Sequence, residues 1–190
     1  MKQKTFWLSI ILLFAAGISV IFMIFRDKDN SDLHKKSGGV NAFMSKAIYT
    51  QFDQTGQIHT QMQTKHMKHY AKGNVAFFLE PRILIYTTKR IPWHISSNFG
   101  KSENGTTTIH LWNHVVLHQP QLDNNPETTI TTSKITVYPK RSFAKTNQKV
   151  TIQRPDSVLK GIGVTADFKT GIIKLLTHSR GIYAPTTKQP

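Results

Sequence analysis

Hydrophobic and polar positions alternate at a period of two after Phe43, in short runs rich in Thr, Ile, Val and aromatic residues. Gly, Asn and Pro interrupt these runs about every ten residues, and helical periodicity is hard to find. Such a pattern is typical of strands joined by tight turns. We predict strands over residues 47–52, 58–67, 75–86, 93–99, 107–118, 128–138, 149–154, 159–168 and 172–177.

Glycines mark several of the predicted turns. Gly56, Gly105 and Gly171 each end a short polar segment between two predicted strands. A tight turn often needs positive φ, which glycine adopts without a steric penalty. Gly56 is therefore predicted to be a structural turn residue, and the order of the runs predicts sequential antiparallel hairpins.

Two segments of the chain, 94–117 and 130–152, resemble each other. Each carries two predicted strands and ends in a basic or imidazole residue followed by β-branched residues, His114-Val115-Val116 and Lys149-Val150-Thr151. The resemblance indicates an internal repeat of roughly 35 residues. Stacking such units would bury a continuous elongated interior. The predicted fold is therefore all-β, with stacked antiparallel hairpins.

An apolar segment precedes this β region. Phe6–Phe25 contains 20 residues without a charge, and at about 1.5 Å per helical residue it matches a hydrocarbon core of roughly 30 Å. A cleaved signal peptide would be shorter and would end in small residues, whereas Arg26-Asp27-Lys28-Asp29 follows directly. Lys2 and Lys4 favour a cytoplasmic N-terminus. We predict a cytoplasmic segment 1–5, a retained transmembrane helix over 6–25 and a translocated remainder.

Residues 26–41 are almost free of apolar side chains and contain the pair Gly38-Gly39. A segment of this composition cannot bury an apolar face and is typical of a tether. The predicted folded domain then covers residues 42–190.

Composition narrows the partners of this domain. The chain has no cysteine, which excludes disulfides, thiolate zinc sites and cysteine nucleophiles. Lys+Arg 25 against Asp+Glu 10 gives a net charge of +15, which favours phospholipid headgroups, phosphorylated glycolipids or nucleic acid. Basic residues are spread along the chain rather than grouped with aromatics, which disfavours nucleic acid. A solvated basic surface without a specific partner is the alternative.

Motifs for catalysis or cofactor binding are weak in this sequence. No Gly-x-Ser-x-Gly elbow occurs, and the acidic residues form no convincing pair for acid–base chemistry. Gly100-Lys101-Ser102 is similar to the end of a phosphate-binding loop, but Ile95 occupies the place of its first glycine. We predict no catalytic residue and no cofactor.

Three histidines, His110, His114 and His118, would share one face of a helix and could then bind a metal ion. On a strand, successive members would lie about 13 Å apart. That distance is too large for one ion, so a polar outer face is the favoured reading and no metal site is predicted.

Several short motifs occur in order along the chain. They are Tyr49-x-x-Phe52 before Gly56, His69-Tyr70, Phe78-Leu79-Glu80-Pro81, Ile91-Pro92-Trp93, Trp112 before His114-Val115, Thr131-Thr132, and Gly161-x-Gly163 before Ile173-x-Leu175. With the apolar N-terminal segment, this set resembles the LptC family of bacterial lipopolysaccharide export. That family consists of single-span inner-membrane proteins with a periplasmic β-jelly-roll. Asn113 departs from it, because the family tends to place glycine before the His-Val pair.

The resemblance implies an open, elongated β-jelly-roll that accepts lipopolysaccharide from an inner-membrane ABC transporter. The implied partners are lipopolysaccharide, the transporter permease subunits near strand 47–52, and a periplasmic bridge protein of the same β fold at the C-terminal edge. A membrane-tethered adaptor that scaffolds a transport complex without binding lipid is the alternative function.

The resemblance also implies lipid contacts in the interior at Phe78, Trp112, Ile173, Leu175 and Tyr183. Strand parity places Ile173 and Leu175 opposite Lys174, on the side of the predicted cavity. Parity places Trp112 on the histidine face, so an interior position for Trp112 requires a bulge.

Overall fold

The computed structural model describes residues 39–87, 91–121 and 125–183. The predicted transmembrane helix over 6–25 and most of the predicted tether lie outside these residues. Within the ranges described, no helix has both the length and the apolar character needed to cross a membrane. The first strand begins at Val40, two residues before the predicted start of the domain at residue 42.

The described chain forms one 11-stranded sheet in which every paired strand is antiparallel. The strands are β1 (Val40–Phe52), β2 (Ile58–Tyr70), β3 (Val75–Leu79), β4 (Arg82–Tyr86), β5 (Pro92–Ser96), β6 (Phe99–Glu103), β7 (Thr108–Gln119), β8 (Thr128–Tyr138), β9 (Phe143–Arg154), β10 (Ser157–Asp167) and β11 (Ile172–Tyr183). A 3-10 turn, Pro139–Arg141, joins β8 to β9. The predicted all-β class and antiparallel hairpins are therefore confirmed.

The sheet is a meander in which two of the long strands are split. β3 pairs with the second part of β2 and β4 with the first part, so β3 and β4 follow each other along β2. In the same way β5 and β6 follow each other along β7. β1 and β11 lie at the two edges, because β1 pairs with β2 and β11 with β10.

A line of backbone breaks crosses the sheet from β1 to β11, and we call it the seam. Positive φ angles mark it at Lys46, Glu80, Asn113, His114, Gly163 and His178. The pairings between β7 and β8, β8 and β9, β9 and β10, and β10 and β11 each shift register at this level. Left-handed backbone and bulges bend strands, so the sheet bends along the seam.

Threonine and serine hydroxyls satisfy carbonyl groups that the broken ladder leaves along the seam. Thr64 donates to the carbonyl of Leu79 at 2.7 Å, and Thr146 donates to that of Lys134 at 2.6 Å. Ser97, Thr132 and Thr177 make equivalent bonds to Phe99, Lys149 and Ile162. A buried carbonyl without a partner is costly, so these hydroxyls stabilise the bend.

The seam divides the sheet into two halves, which we name after the strands that lie wholly within each. The β4/β5 half and the β3/β6 half contribute their inward-facing residues to one hydrophobic core. Trp93 on β5 contacts Phe168, just after β10, with 5.3 Å between ring centroids. His59 on β2 lies 3.3 Å from the carbonyl oxygen of Pro139. The inner faces of the two halves therefore pack against each other.

The sequence pattern did not resolve the strand breaks. Run 75–86 is two strands separated at Glu80-Pro81, and β6 was not predicted as a strand of its own. β6 carries only small residues inward, Gly100 and Ser102, so its apolar alternation is absent. A Cβ at Gly100 would lie 3.0 Å from the side chain of Leu111 and 3.1 Å from that of Pro81, so a larger residue there would require these side chains to shift.

Candidate functional site

The interior is open at its β1 end, where an apolar cavity of about 250 Å³ lies between the two halves. Apolar side chains from the first three strands form most of its wall: Met44, Ala47, Ile48, Tyr49, Met62, Met67, Ala76 and Phe78. Polar groups of Thr64, His69, Asn74, Ser102 and Thr106 also line it.

Strand register brings the cavity residues together. Met44 on β1 is paired with Met67 on β2, and Met67 is paired with Phe78 on β3. Tyr49 is paired with Met62 in the same way on the other side of the seam. Cross-strand partners present their side chains on the same face, so these residues form two adjacent apolar rows.

The cavity has a buried floor and an exposed wall. Met62 and Phe78 are each 4% exposed, whereas Met44 is 46% and Tyr49 41% exposed. Thr106, in the turn before β7, donates a hydrogen bond of 3.3 Å to the Tyr49 hydroxyl. β1 therefore covers an apolar space that solvent reaches along the edge of the sheet.

Among the residues predicted to contact lipid, Phe78 lines this cavity. Ile173 and Leu175 lie on β11 and are partly buried against the core at its opposite end. Tyr183 ends β11 and is 68% exposed. Gly56 has φ +79° in the turn between β1 and β2, where its N–H donates to the Asp53 carbonyl at 3.1 Å.

Trp112 lies on the outer face of the sheet rather than in the interior. Its neighbour Leu111 is fully buried, while Trp112 stacks on Phe99 with 6.2 Å between ring centroids. The irregularity in β7 begins at Asn113, after Trp112, so it does not turn the indole inward. Trp112 and Phe78 therefore lie on opposite faces of the sheet. The lipid contact that the resemblance implied for Trp112 is not in this cavity.

Apart from Phe78, the residues that line the cavity were not predicted as lipid contacts, among them Met44, Met62, Met67 and Ala76. Alternation along Thr60, Met62 and Thr64 gives the inward face of β2 correctly. Continued past the seam, this alternation would place His66 inward, but the break shifts it by one residue and Met67 faces inward instead. The sequence signal for this shift was that Met62 and Met67 are five residues apart, an odd number.

Two of the three histidines on β7, His110 and His118, face outward and contact threonines of β8, while His114 lies in the seam. His110 Nδ1 lies 3.1 Å from Thr136 Oγ1, and His118 Nδ1 lies 3.1 Å from Thr129 Oγ1. Burial lowers the pKa of His94, and the neighbouring imidazole of His118 lowers it further. Within the described residues, no three His, Asp or Glu side chains converge on a point where they could hold a metal ion.

Comparison with known protein families matches residues 8–184 to the family described as LptC: Lipopolysaccharide-assembly, LptC-related. Among solved structures, the fold is similar to that of LptH from Pseudomonas aeruginosa, described as the LptA homologous periplasmic component of the conserved lipopolysaccharide transport device. That similarity has a TM-score of 0.53 at 10% identity and covers 66% of this chain and 95% of LptH. A comparison with curated proteins gave no match. Because the family match spans most of the sequence, the chain belongs to the LptC family of lipopolysaccharide assembly.

Proposed function

We propose that this protein is a component of the lipopolysaccharide export bridge and binds acyl chains in the interior of its β-jelly-roll. The observation that carries the proposal is the open apolar cavity at the β1 end, which adjoins the hydrophobic core. Family membership supplies the substrate class, and the cavity supplies a place for its apolar part.

The physical driving force is removal of hydrocarbon from water. Each methylene group that enters an apolar site contributes about 0.8 kcal/mol. The cavity of about 250 Å³ exceeds the engineered apolar cavity of about 150 Å³ that takes up benzene. It therefore has room for part of one acyl chain, and a whole lipid requires β1 to move away from β3 and β6.

β1 is suited to such a movement. It hydrogen-bonds to a single strand, β2, and its large apolar residues Phe43, Ile48 and Phe52 are 57%, 63% and 59% exposed. An element with few buried contacts opens at a lower free-energy cost than the core strands. We therefore propose that lipid enters at the β1 end and leaves toward Ile173 and Leu175 at the β11 end.

The same proposal includes a topology. Residues 6–25 anchor the chain in the inner membrane, residues 1–5 are cytoplasmic, and the β domain is periplasmic. The β1 edge faces the ABC transporter permease subunits, and the β11 edge faces a bridge protein of the same fold. A mature N-terminus that begins after residue 20 would contradict the uncleaved anchor.

A photo-crosslinking amino acid tests the interior site in the full chain. Probes at Phe78, Ile173 and Leu175 are expected to capture lipopolysaccharide, because these positions face the core or the cavity. A probe at His110, which faces outward, is expected to capture little. Equal capture at all four positions would contradict binding in the interior.

A scaffold without lipid binding is the second candidate, and the two apolar edges favour it. Strand edges with unpaired backbone groups accept strands from partners, and Ile182 and Tyr183 at the β11 edge are 72% and 68% exposed. Ile182→Asp and Tyr183→Asp are expected to weaken association with the bridge protein in both readings. If these variants lose association with the bridge protein, and a probe at Phe78 in the otherwise natural chain captures no lipopolysaccharide, the scaffold is favoured.

A further inference from the structure

We infer that the outer face of the β3/β6 half docks on an anionic phospholipid surface while the domain is not bound to the transporter and the bridge protein. This inference rests on the proposed membrane anchor but concerns a surface on the opposite side of the sheet from the lipid cavity. It is carried by one row of cross-strand partners, by the aromatic residues beside that row, and by the contrast with the outer face of the β4/β5 half.

The row crosses the sheet from β1 to β11 in direct register, and we call it the lysine row. Its members, each paired with the next, are Phe43, Lys68, Phe77, Lys101, His110, Thr136, Lys145, Thr165 and Lys174. Adjacent strands lie about 4.8 Å apart, so successive lysines of the row are about 10 to 14 Å apart when measured across the sheet.

Aromatic rings lie both within the lysine row, as Phe77 does, and beside it on the same face. Phe77 and Phe99 are 42% and 40% exposed, and Trp112 stacks on Phe99 in the neighbouring row. On the other side of the lysine row, Tyr138 is paired with Phe143. Tyrosine and tryptophan are favoured at the membrane interface, where lysine reaches the headgroups.

Cations and rings are also in direct contact here. The Lys101 ammonium lies 5.9 Å from the centroid of the Phe77 ring. Arg141 and Lys145 lie 5.6 and 5.7 Å from that of Tyr138. These cation–π contacts hold positive charge close to apolar surface, as an interfacial site requires.

Acidic side chains neutralise only part of this face. Glu103 accepts a hydrogen bond of 2.7 Å from Lys101, and this bond, with the charge of Lys101, lowers the pKa of Glu103. Asp167 is paired with Phe143 near the end of the face. Of the carboxylates in the part of the chain that the structure describes, none forms a salt bridge with Lys68, Lys145 or Lys174.

The outer face of the β4/β5 half has a different composition at matching positions. Its central row reads Gln61, Leu84, His94, His118, Thr129, Gln153, Val158 and Ile182 in register, without a lysine or arginine. The next row contains Arg82 among neutral residues and the cross-strand pair Lys160 and Arg180. Both outer faces therefore carry exposed positive charge, but among the described residues the contacts between cations and aromatic rings lie on the outer face of the β3/β6 half.

An anionic membrane is the occupant that the charge and the chain length favour. Fourteen residues, 26–39, separate the predicted span from β1, and a chain of that length extends at most about 50 Å. The domain of an anchored chain therefore stays close to the headgroups, at a high effective concentration. Lysines near an anionic membrane surface each strengthen binding about fivefold.

Single cysteines make the test specific for each face, because the natural chain has none. Thr136→Cys lies in the lysine row, and Thr129→Cys lies on the other outer face of the same strand, β8. Both threonines are half-buried, and each contacts one histidine at 3.1 Å. They form a matched pair for a fluorophore.

The labelled full-length protein is reconstituted into phosphatidylcholine vesicles with and without phosphatidylglycerol, and a quencher is placed on the lipid headgroups. Quenching at position 136 is expected to exceed that at position 129 only with phosphatidylglycerol. The excess is expected to disappear at about 1 M salt, where the Debye length is about 3 Å. Equal quenching in chains that float with the vesicles would overturn the inference.

Charge variants provide the second arm. The double variant Lys101→Gln/Lys145→Gln is expected to lower the ratio of membrane-docked to undocked domain about 25-fold, because each lysine contributes about fivefold. Lys160→Gln with Arg180→Gln, a cross-strand pair on the other outer face, is the control and is expected to change it less than twofold. An equal effect of the two double variants would overturn the inference. If the protein does not float with the vesicles, it is not anchored, and the proposed transmembrane anchor rather than this inference is wrong.

Discussion

The middle of the interior and its β1 end belong to one sheet but are formed by different strands and differ in how they are filled. In the middle, Ile85, Leu111 and Leu117 are 0% exposed and Trp93 is 1% exposed. At the β1 end, the exposed Met44 and Tyr49 cover a cavity of about 250 Å³. The comparison indicates that the middle stabilises the fold, while the β1 end retains space for a ligand.

Residue choice explains this difference. β-branched and leucine side chains have few rotamers and fill the middle from both halves. Around the cavity, Ala47 and Ala76 are small, and Met62 and Met67 are unbranched and adapt to irregular spaces. A cavity lined in this way can change shape without disturbing the packed middle.

The largest expected effect is in the middle. Trp93→Ala is expected to lower the free energy of unfolding by about 3 to 5 kcal/mol, because it leaves a cavity against Phe168. Met67→Ala, at the partly buried edge of the core, is expected to cost less than half as much. Equilibrium denaturation of both variants measures the contrast, and equal losses would show that the two regions are packed alike.

Filling the two regions sharpens the comparison. Ala76→Leu points into the cavity and is expected to change stability by less than about 1 kcal/mol, while Ala144→Leu, at 0% exposure in the middle, is expected to cost about 1 to 3 kcal/mol from overpacking. Lipid capture at Phe78 is expected to fall only in Ala76→Leu. Denaturation and crosslinking are measured on the same preparations, and undiminished capture would contradict the cavity as the binding site.

The seam supports both regions and gives a smaller effect. Thr146→Val removes the hydroxyl that satisfies the Lys134 carbonyl, at an expected cost of about 1 to 3 kcal/mol. Thr131→Val on the outer face is the control, and valine is at least as favourable as threonine in a strand. Thermal unfolding compares the two, and an unchanged midpoint in Thr146→Val would show that the hydroxyl does not stabilise the bend.

The smallest expected effect concerns pH. The folded-state pKa of His94 lies below its unfolded value of 6.5 because of burial and His118. Its contribution to stability is therefore complete above that value and is lost as the pH falls through the lower folded pKa. His94→Gln is expected to reduce the loss of stability between neutral pH and about pH 5. Identical pH profiles for the two proteins would contradict this assignment.

The all-β class could be predicted because the alternation of apolar and polar residues is undisturbed on each side of the seam. Ile83 and Ile85 on β4 are an example. The sequence did not predict the seam, because positive φ at Lys46 and Glu80 occurs in residues without a local preference for it. Crossing the seam changes the parity, which hid the inward position of Met67.

The lysine row could not be predicted from the sequence either. Lys68, Lys101, Lys145 and Lys174 are separated by about 30 or more residues along the chain and are aligned only by strand register. Phe78, in contrast, was placed correctly in the interior by its family resemblance, and Trp112 kept the outward parity that its spacing from His110 indicates.

Two adjacent phenylalanines on β3 test the central claim most directly. Phe78 is 4% exposed and lines the cavity, whereas Phe77 is 42% exposed on the outer face. A photo-crosslinker at each position in the full-length protein is exposed to lipopolysaccharide, with Ala76→Leu as the filled-cavity control. We predict strong capture at position 78, weak capture at 77, and loss of the difference in Ala76→Leu. Capture at 77 equal to that at 78 in the unfilled protein would contradict binding of lipopolysaccharide in the interior.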